Sequence, residues 1–171
     1  MRINTIYIFD FDGTLVETDS KVYVKHADDT DSTLDADAFN KYKPRPGDKF
    51  DYTEFFDLDY LLNPKDLDLM TKFVKLTHYP QVDVAILTAR SNTKGIAMYM
   101  RHKGVDLGRL KIVGTGTGDP KAKKDWIEEL IKNGYTELYY YDDSQKNIDS
   151  VKTLKRKYPQ ISFKIIKVDN D

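Results

Sequence analysis

Five apolar runs of strand length, Ile3 to Phe9, Val82 to Leu87, Leu110 to Val113, Leu138 to Tyr141 and Ile161 to Val168, are separated by segments with helical spacing. That alternation leaves little freedom of fold. Strands that alternate with helices pair in parallel, and a parallel sheet must be covered on both faces, so the expected architecture is α/β with three layers. The helices are legible between the runs. Lys65 to about Thr77 carries Leu67, Met70, Phe73 and Val74 on one face, and Thr93 to about Lys103 ends at Gly104. Pro120 to Lys132 starts after Asp119 as N-cap and ends at Asn133-Gly134; Gln145 to Tyr158 turns Ile148, Val151 and Leu154 inward and stops at Pro159. With 171 residues the chain is long enough for one ordinary core, residues 1–171, and too short for two.

The pattern lapses between Asp12 and Lys65. Asp28 to Ser32 and Pro44 to Asp48 read as loops, and Val22 to Val24 and the aromatic stretch Phe50 to Leu62 as short elements. About 50 residues without regular period are unusual inside a compact domain unless they serve a purpose. Residues 14–63 are therefore expected to form a small cap or lid inserted after the first strand.

Chemistry concentrates where strands end. Asp10 and Asp12 close the first apolar run and are followed by Gly13-Thr14-Leu15. Two carboxylates held that close repel each other, and a shared proton or a cation must relieve them. If Asp10 attacks phosphorus, Asp12 can protonate the leaving oxygen and later activate water. At the end of the second run, Thr88-Ala89-Arg90 offers a hydroxyl and free backbone N–H groups for the oxygens of a phosphoryl group. The fourth run ends in Asp142-Asp143, hard oxygen donors suited to Mg²⁺. Of Lys121, Lys123 and Lys124, Lys123 shares the inward face with Trp126, Ile127, Leu130 and Ile131 and is the one aimed at the sheet edge. Each feature has a plain structural reading as well: Asp12-Gly13 as a turn, Thr88, Ser91 or Asp142-Asp143 as helix caps. Gly114 to Gly118 lacks the spacing of a nucleotide-binding fingerprint and reads as a connection. His26, His78 and His102 have no metal-ligand spacing and are expected at the surface.

Composition narrows the classes further. Twenty-seven basic and 28 acidic residues give a net charge of −1, so no global field draws the chain onto nucleic acid. Lys152, Lys155, Arg156 and Lys157 read as a solvated helix face. The absence of cysteine excludes disulfides and thiolate chemistry. No run approaches the ~20 apolar residues that cross a bilayer, and no cleavable leader precedes the first strand, so a cytoplasmic protein with no membrane partner is expected.

Taken in order, Asp-Phe-Asp-Gly-Thr-Leu, Leu-Thr-Ala-Arg-Ser, a helix lysine and Asp-Asp-Ser-Gln-Lys-Asn-Ile resemble the four motifs of the haloacid dehalogenase (HAD) superfamily of phosphohydrolases. The resemblance runs from Ile3 to about Val168. It implies a Rossmann-like sheet of order 5-4-1-2-3, with Asp10 as the nucleophile that becomes an aspartyl-phosphate and Asp12 as general acid, then base. Thr88, with Ala89, Arg90 and Lys123, would bind the substrate phosphate. Mg²⁺ would be held by Asp10, the Phe11 carbonyl, Asp142 and Asp143, with Asp12 in the same group; which of Asp142 and Asp143 binds directly is left open. Asn147 stands where many members carry an acid, and a supporting hydrogen bond is its expected role. The short insertion and the Leu-Thr-Ala-Arg phrase resemble the phosphatase domains of polynucleotide kinase-phosphatases.

The expected function is a Mg²⁺-dependent phosphomonoesterase acting on a phosphorylated small molecule such as a nucleotide, or on a 3'-phosphorylated nucleic-acid end. The alternatives are a catalytically silent module of the same fold that binds such ends, and a signalling receiver domain. A receiver would carry its acceptor aspartate after the third strand, where Gly114-Thr115-Gly116 stands. Tyr42, Phe50, Tyr52, Phe55 and Phe56 are expected either to form the core of the cap or to stack on a base.

Overall fold

The computed structural model describes residues 2–169. Alternation along β1 (Thr5–Phe9) sends Ile6 and Ile8 to one face and Phe9 to the other, all three without exposure. β1 lies at the centre of a five-stranded parallel sheet. β7 (Asp83–Thr88) and β8 (Leu110–Gly114) follow on one side, β9 (Glu137–Asp142) and β10 (Ser162–Lys167) on the other, in the order β10-β9-β1-β7-β8. Counting only these strands, that is the order 5-4-1-2-3.

Helices cover both faces. α5 (Pro120–Lys132) and α6 (Gln145–Lys157) pack Ile127, Leu130, Ile131, Ile148, Val151 and Leu154 over Ile6, Ile8, Leu138 and Tyr140. α3 (Leu69–Thr77) and α4 (Lys94–His102) set Met70, Phe73, Ile96 and Met100 against Phe9, Val84 and Ile86. Phe9 ties the second core together, stacked on Tyr141 at 4.7 Å and edge-on to Phe73 at 5.2 Å. Each fully buried side chain of this size contributes roughly 1.5–3 kcal/mol. Asp119 caps α5 by accepting from the Lys121 N–H at 3.0 Å, with Pro120 in the first turn, as the sequence indicates.

The helix expected from Lys65 begins only at Leu69. Lys65–Asp66 (β6) pairs antiparallel with Val16–Glu17 (β2), and the Leu67 N–H donates to the Leu15 carbonyl at 2.9 Å. That pairing takes the backbone groups a first helical turn would have used. Between β2 and β6, themselves a two-stranded sheet, the chain forms a three-stranded antiparallel sheet of β4 (Asp31–Leu34), β3 (Val22–Lys25) and β5 (Lys49–Asp51), with the short helices α1 (Ala36–Lys41) and α2 (Thr53–Phe56). This is the segment expected as a cap.

His26, expected at the surface, is 6% exposed. It continues the inward alternation of Val22 and Val24, and both ring nitrogens are engaged: Nδ1 with Asp48 at 2.6 Å and Nε2 with Ser32 Oγ at 2.7 Å. Asp48 also accepts from the Tyr42 hydroxyl at 2.5 Å and the Arg45 N–H at 2.8 Å. No described helix is long and apolar enough to cross a membrane.

Candidate active site

Strand register assembles the site. Phe9 pairs with Ile86 on one side and Tyr141 on the other, so the next residues, Asp10 and Asp142, emerge beside each other at the carboxyl edge of the sheet. The Asp10 N–H still bonds the Tyr141 carbonyl at 2.9 Å, after which the chain turns away. Gly13 makes the turn with φ of 76°, in the left-handed region that costs glycine little. The Phe11 carbonyl, expected among the cation ligands, is spent inside this turn, where it accepts from the N–H groups of Thr14, Leu15 and Val16 at 3.0–3.2 Å.

Asp10 is 6% exposed and both its oxygens are engaged. Oδ1 accepts from Lys123 Nζ at 2.8 Å and Oδ2 from the Thr14 hydroxyl at 3.0 Å. Lys123, the lysine chosen from its helical face, is 3% exposed and donates also to Asp142 Oδ2 at 3.0 Å. Lys121 instead pairs with Asp125 on the surface.

Asp142 and Asp143 differ sharply. Asp142 is fully buried; its Oδ2 accepts from Lys123, from the Tyr140 hydroxyl and from Asn147 Nδ2 at 3.0 Å, and its Oδ1 from the Ser144 N–H at 2.9 Å. Three donors meet at Oδ2 and one at Oδ1. Asn147 thus makes the supporting bond expected of it. Asp143 is partly exposed, touched by Asn40 Nδ2 of α1 at 3.2 Å. Oxygens of Asp10, Asp142 and Asp143 lie within 4.8 Å of one another. Asp12 is not among them.

Three carboxylates therefore face one ammonium. Burial, reinforced by the charge of Asp142, raises the Asp10 carboxyl well above the usual carboxylate range. Burial likewise pushes Asp143 up to about 6. Burial opposes the Lys123 ammonium, but the charges of Asp10 and Asp142 outweigh it and hold that ammonium above its ordinary range. The cluster is short of positive charge, and a hard divalent cation fits the shortfall by charge and by oxygen donors.

Asp12 turns the other way. Its carboxylate is gripped by Arg90, from Nε to Oδ2 and from Nη2 to Oδ1, both at 2.8 Å. Arg90 was expected on the substrate phosphate. Here it is 2% exposed, its guanidinium carbon 5.8 Å from the Phe11 ring centre and 5.1 Å from that of Phe55, with two of its donors spent on Asp12. β8 holds this loop from behind: Thr115 N–H donates to the Thr88 carbonyl at 2.8 Å, and a Cβ on Gly114 would lie 2.2 Å from the Arg90 carbonyl oxygen. Thr88, 1% exposed, accepts from the Arg90 N–H at 3.2 Å through its hydroxyl oxygen, which leaves the hydroxyl proton to donate.

Asp10, Asp12, Thr88, Ala89, Arg90, Lys123, Asp142 and Asp143 all border one cavity of about 550 Å³. The segment between β2 and β6 forms its other side, through rings that include Phe39, Tyr52, Phe55 and Phe56. Reading the sequence missed Thr14, Asn40 and the pairing of Arg90 with Asp12. Thr14 had a signal, a hydroxyl just past the turn glycine. Asn40 and the Arg90 pairing had none, since their partners lie 103 and 78 residues away.

No family model matches this chain, and no curated protein matches it. Among solved structures it is similar to the HAD domain of the effector protein Lem4 from Legionella pneumophila, an inactive mutant, at 16% identity and a TM-score of 0.56, over 98% of this chain and 87% of that one. It is also similar to a chain of the Pnkp1/Rnl/Hen1 RNA repair complex at 16% identity and a TM-score of 0.55, over 99% of this chain but 44% of that one. At such identity the likeness establishes the fold, which is HAD-like.

Proposed function

We propose that this protein is a Mg²⁺-dependent phosphomonoesterase that works through an aspartyl-phosphate on Asp10, with a nucleotide or a 3'-phosphorylated nucleic-acid end as substrate. The observation that carries the reading is the setting of Asp10: a buried carboxylate beside Lys123, Asp142 and Asp143, at the wall of a cavity it shares with Asp12 and Thr88. The HAD-like fold supports it, and the likeness to a chain of an RNA repair complex supports a nucleic-acid end as leaving group.

In this reading an Asp10 oxygen attacks phosphorus while the bond to the leaving oxygen breaks. Asp12 gives that oxygen its proton, then as a carboxylate takes a proton from the water that attacks the acyl phosphate, releasing inorganic phosphate and restoring Asp10. Thr88 donates to a phosphoryl oxygen, and Lys123 offsets negative charge as it builds. Asp10 and Asp143 would hold Mg²⁺, and Asp142, bonded to Lys123, Tyr140, Asn147 and the Ser144 N–H, would organise Lys123 and Asn147 around them. When bound, the cation supplies charge neutralisation at the phosphoryl oxygens. Arg90 holds both Asp12 oxygens in this structure, so as the acid Asp12 would free one of them to carry the proton while Arg90 keeps hold of the other.

Asp10→Asn is nearly isosteric and should abolish metal-dependent release of phosphate from an aryl phosphate while the far-ultraviolet circular dichroism stays unchanged. Retained turnover would remove Asp10 as nucleophile. A folded wild type that binds phosphorylated ends yet releases no phosphate with any divalent ion would favour the silent binding module.

A further inference from the structure

The phosphate end of the cavity accounts for little of its volume. About 550 Å³ is the size of site that encloses a drug-sized ligand, far more than one phosphoryl group. The remainder has two distinct linings. One is aromatic. α1 and α2 bury none of their residues, and Phe39, Tyr52 and Phe56 remain half-buried although they pack on one another, Tyr52 against Phe56 at 5.3 Å and edge-on to Phe39 at 5.7 Å. Packed on one another, these rings also form part of the cavity wall, where their uncovered faces can meet a flat ligand. The glycines of the β8–α5 connection supply a wall with little side chain, and a Cβ at Gly118 would meet nothing within 4 Å. Space of that kind admits a flat ring.

The other lining is a charge. Three cations border the cavity. Arg90 is bound to Asp12 and Lys123 to Asp10 and Asp142. The third, Lys146, is exposed and has no ion-pair partner among the described residues. An uncommitted ammonium in a pocket that already has its phosphate machinery is suited to a second anion.

Resting on the phosphomonoesterase reading, we propose that the substrate is a nucleotide carrying a second phosphate besides the one removed, its base against the Phe39, Tyr52 and Phe56 rings and its second phosphate on Lys146. That chemistry is shared by a free nucleoside 3',5'-bisphosphate and by the last nucleotide of a 3'-phosphorylated strand. A phosphorylated aromatic side chain in a peptide offers one ring and one phosphate, and leaves Lys146 without a purpose.

The test compares adenosine 3'-monophosphate, adenosine 3',5'-bisphosphate, a 3'-phosphorylated dinucleotide, a phosphotyrosyl peptide and glycerol phosphate, each rate normalised to that of an aryl phosphate for the same variant. Wild type should prefer both second-phosphate substrates over the monophosphate by about fivefold or more, the scale of an exposed charge-assisted contact. Lys146→Ala should bring that ratio to one through KM, with the advantage in wild type fading at high salt. Tyr52→Leu should lower the preference for nucleotides over glycerol phosphate about tenfold. Preference for the dinucleotide alone assigns the strand end, and equal preference assigns the shared nucleotide chemistry; both support the proposal. A wild type indifferent to the second phosphate, a Lys146→Ala ratio equal to wild type, or a preference for the phosphotyrosyl peptide would overturn it. Calorimetric binding of the mono- and bisphosphate to Asp10→Asn reads the same ratio without turnover, so a failure of catalysis and a failure of this subsite are told apart.

Discussion

Replacing Asp143 with Asn should make the metal-free protein more stable while removing its response to Mg²⁺. In the folded chain, burial and the neighbouring Asp142 push the Asp143 carboxyl from an ordinary 3.8 up to about 6. That difference of about 2 pKa units corresponds to about 3 kcal/mol against holding the charged form well above pH 6. Asp143 is partly exposed and hydrogen-bonded to Asp10, so solvent and that bond reduce the gain to about 1–2 kcal/mol. For a chain of this length that is a rise of roughly 2–8 °C in Tm. The sign follows from proton binding. Between about pH 4 and 6 the folded wild type binds a proton that the unfolded chain does not, so this group costs stability as pH rises through its folded value and costs nothing below its unfolded one. The advantage of Asp143→Asn should therefore be full at pH 8 and vanish near pH 4. Mg²⁺ reverses the order: at a hundredfold excess over its Kd it adds about 2.7 kcal/mol to wild type and almost nothing to the variant. The assay is urea or thermal unfolding at pH 8 and pH 4, with chelator and with Mg²⁺. A variant less stable than wild type in chelator at pH 8, or one that Mg²⁺ stabilises as strongly as wild type, would refute the reasoning.

Three further outcomes follow from the same geometry. Lys123→Met leaves Asp10 and Asp142 buried without their cation and should cost about 3 kcal/mol in chelator at pH 8, read by urea unfolding; a loss below about 0.5 kcal/mol would show that the ammonium does not balance them. Arg90→Lys keeps a charge but cannot grip both Asp12 oxygens, and should lower kcat on an aryl phosphate by about 10- to 100-fold at a temperature well below the Tm of either protein; an unchanged kcat would dismiss the clamp as a positioning device. Burial works to raise the Asp48 carboxyl, yet bonds from Tyr42, the Arg45 N–H and His26 hold it at about 2. Its contribution is present above its unfolded value and lost as pH falls toward 2, so Asp48→Asn should lower Tm at pH 7 and converge on wild type in acid, whereas a pH-independent difference would point to lost packing instead.

The strands of the central sheet were legible because each is bounded by a change of period, whereas their order was implied only by the resemblance of the motifs at their ends to those of the HAD superfamily. Lys123 could be singled out from its neighbours because a helix of 3.6 residues per turn puts it over Ile127 and Leu130. Where expectation failed, a partner distant in sequence had taken over. Lys65–Asp66 has helix-compatible residues but finds β2 across the fold. His26 has the outward look of an isolated polar residue, until Asp48 and Ser32 close around it.

By itself, then, the chain's sequence settles which residues reach the carboxyl edge of a parallel sheet, because alternation, strand length and helix period are local properties. Tertiary structure alone decides how those residues divide their bonds. Asp142 and Asp143 are chemically identical neighbours, yet one is fully buried with four donors on its carboxylate and the other is partly exposed beside Asn40. The reason is that charge balance and hydrogen-bond supply at a buried carboxylate depend on what the rest of the fold brings within about 3 Å of it, and no local pattern encodes that.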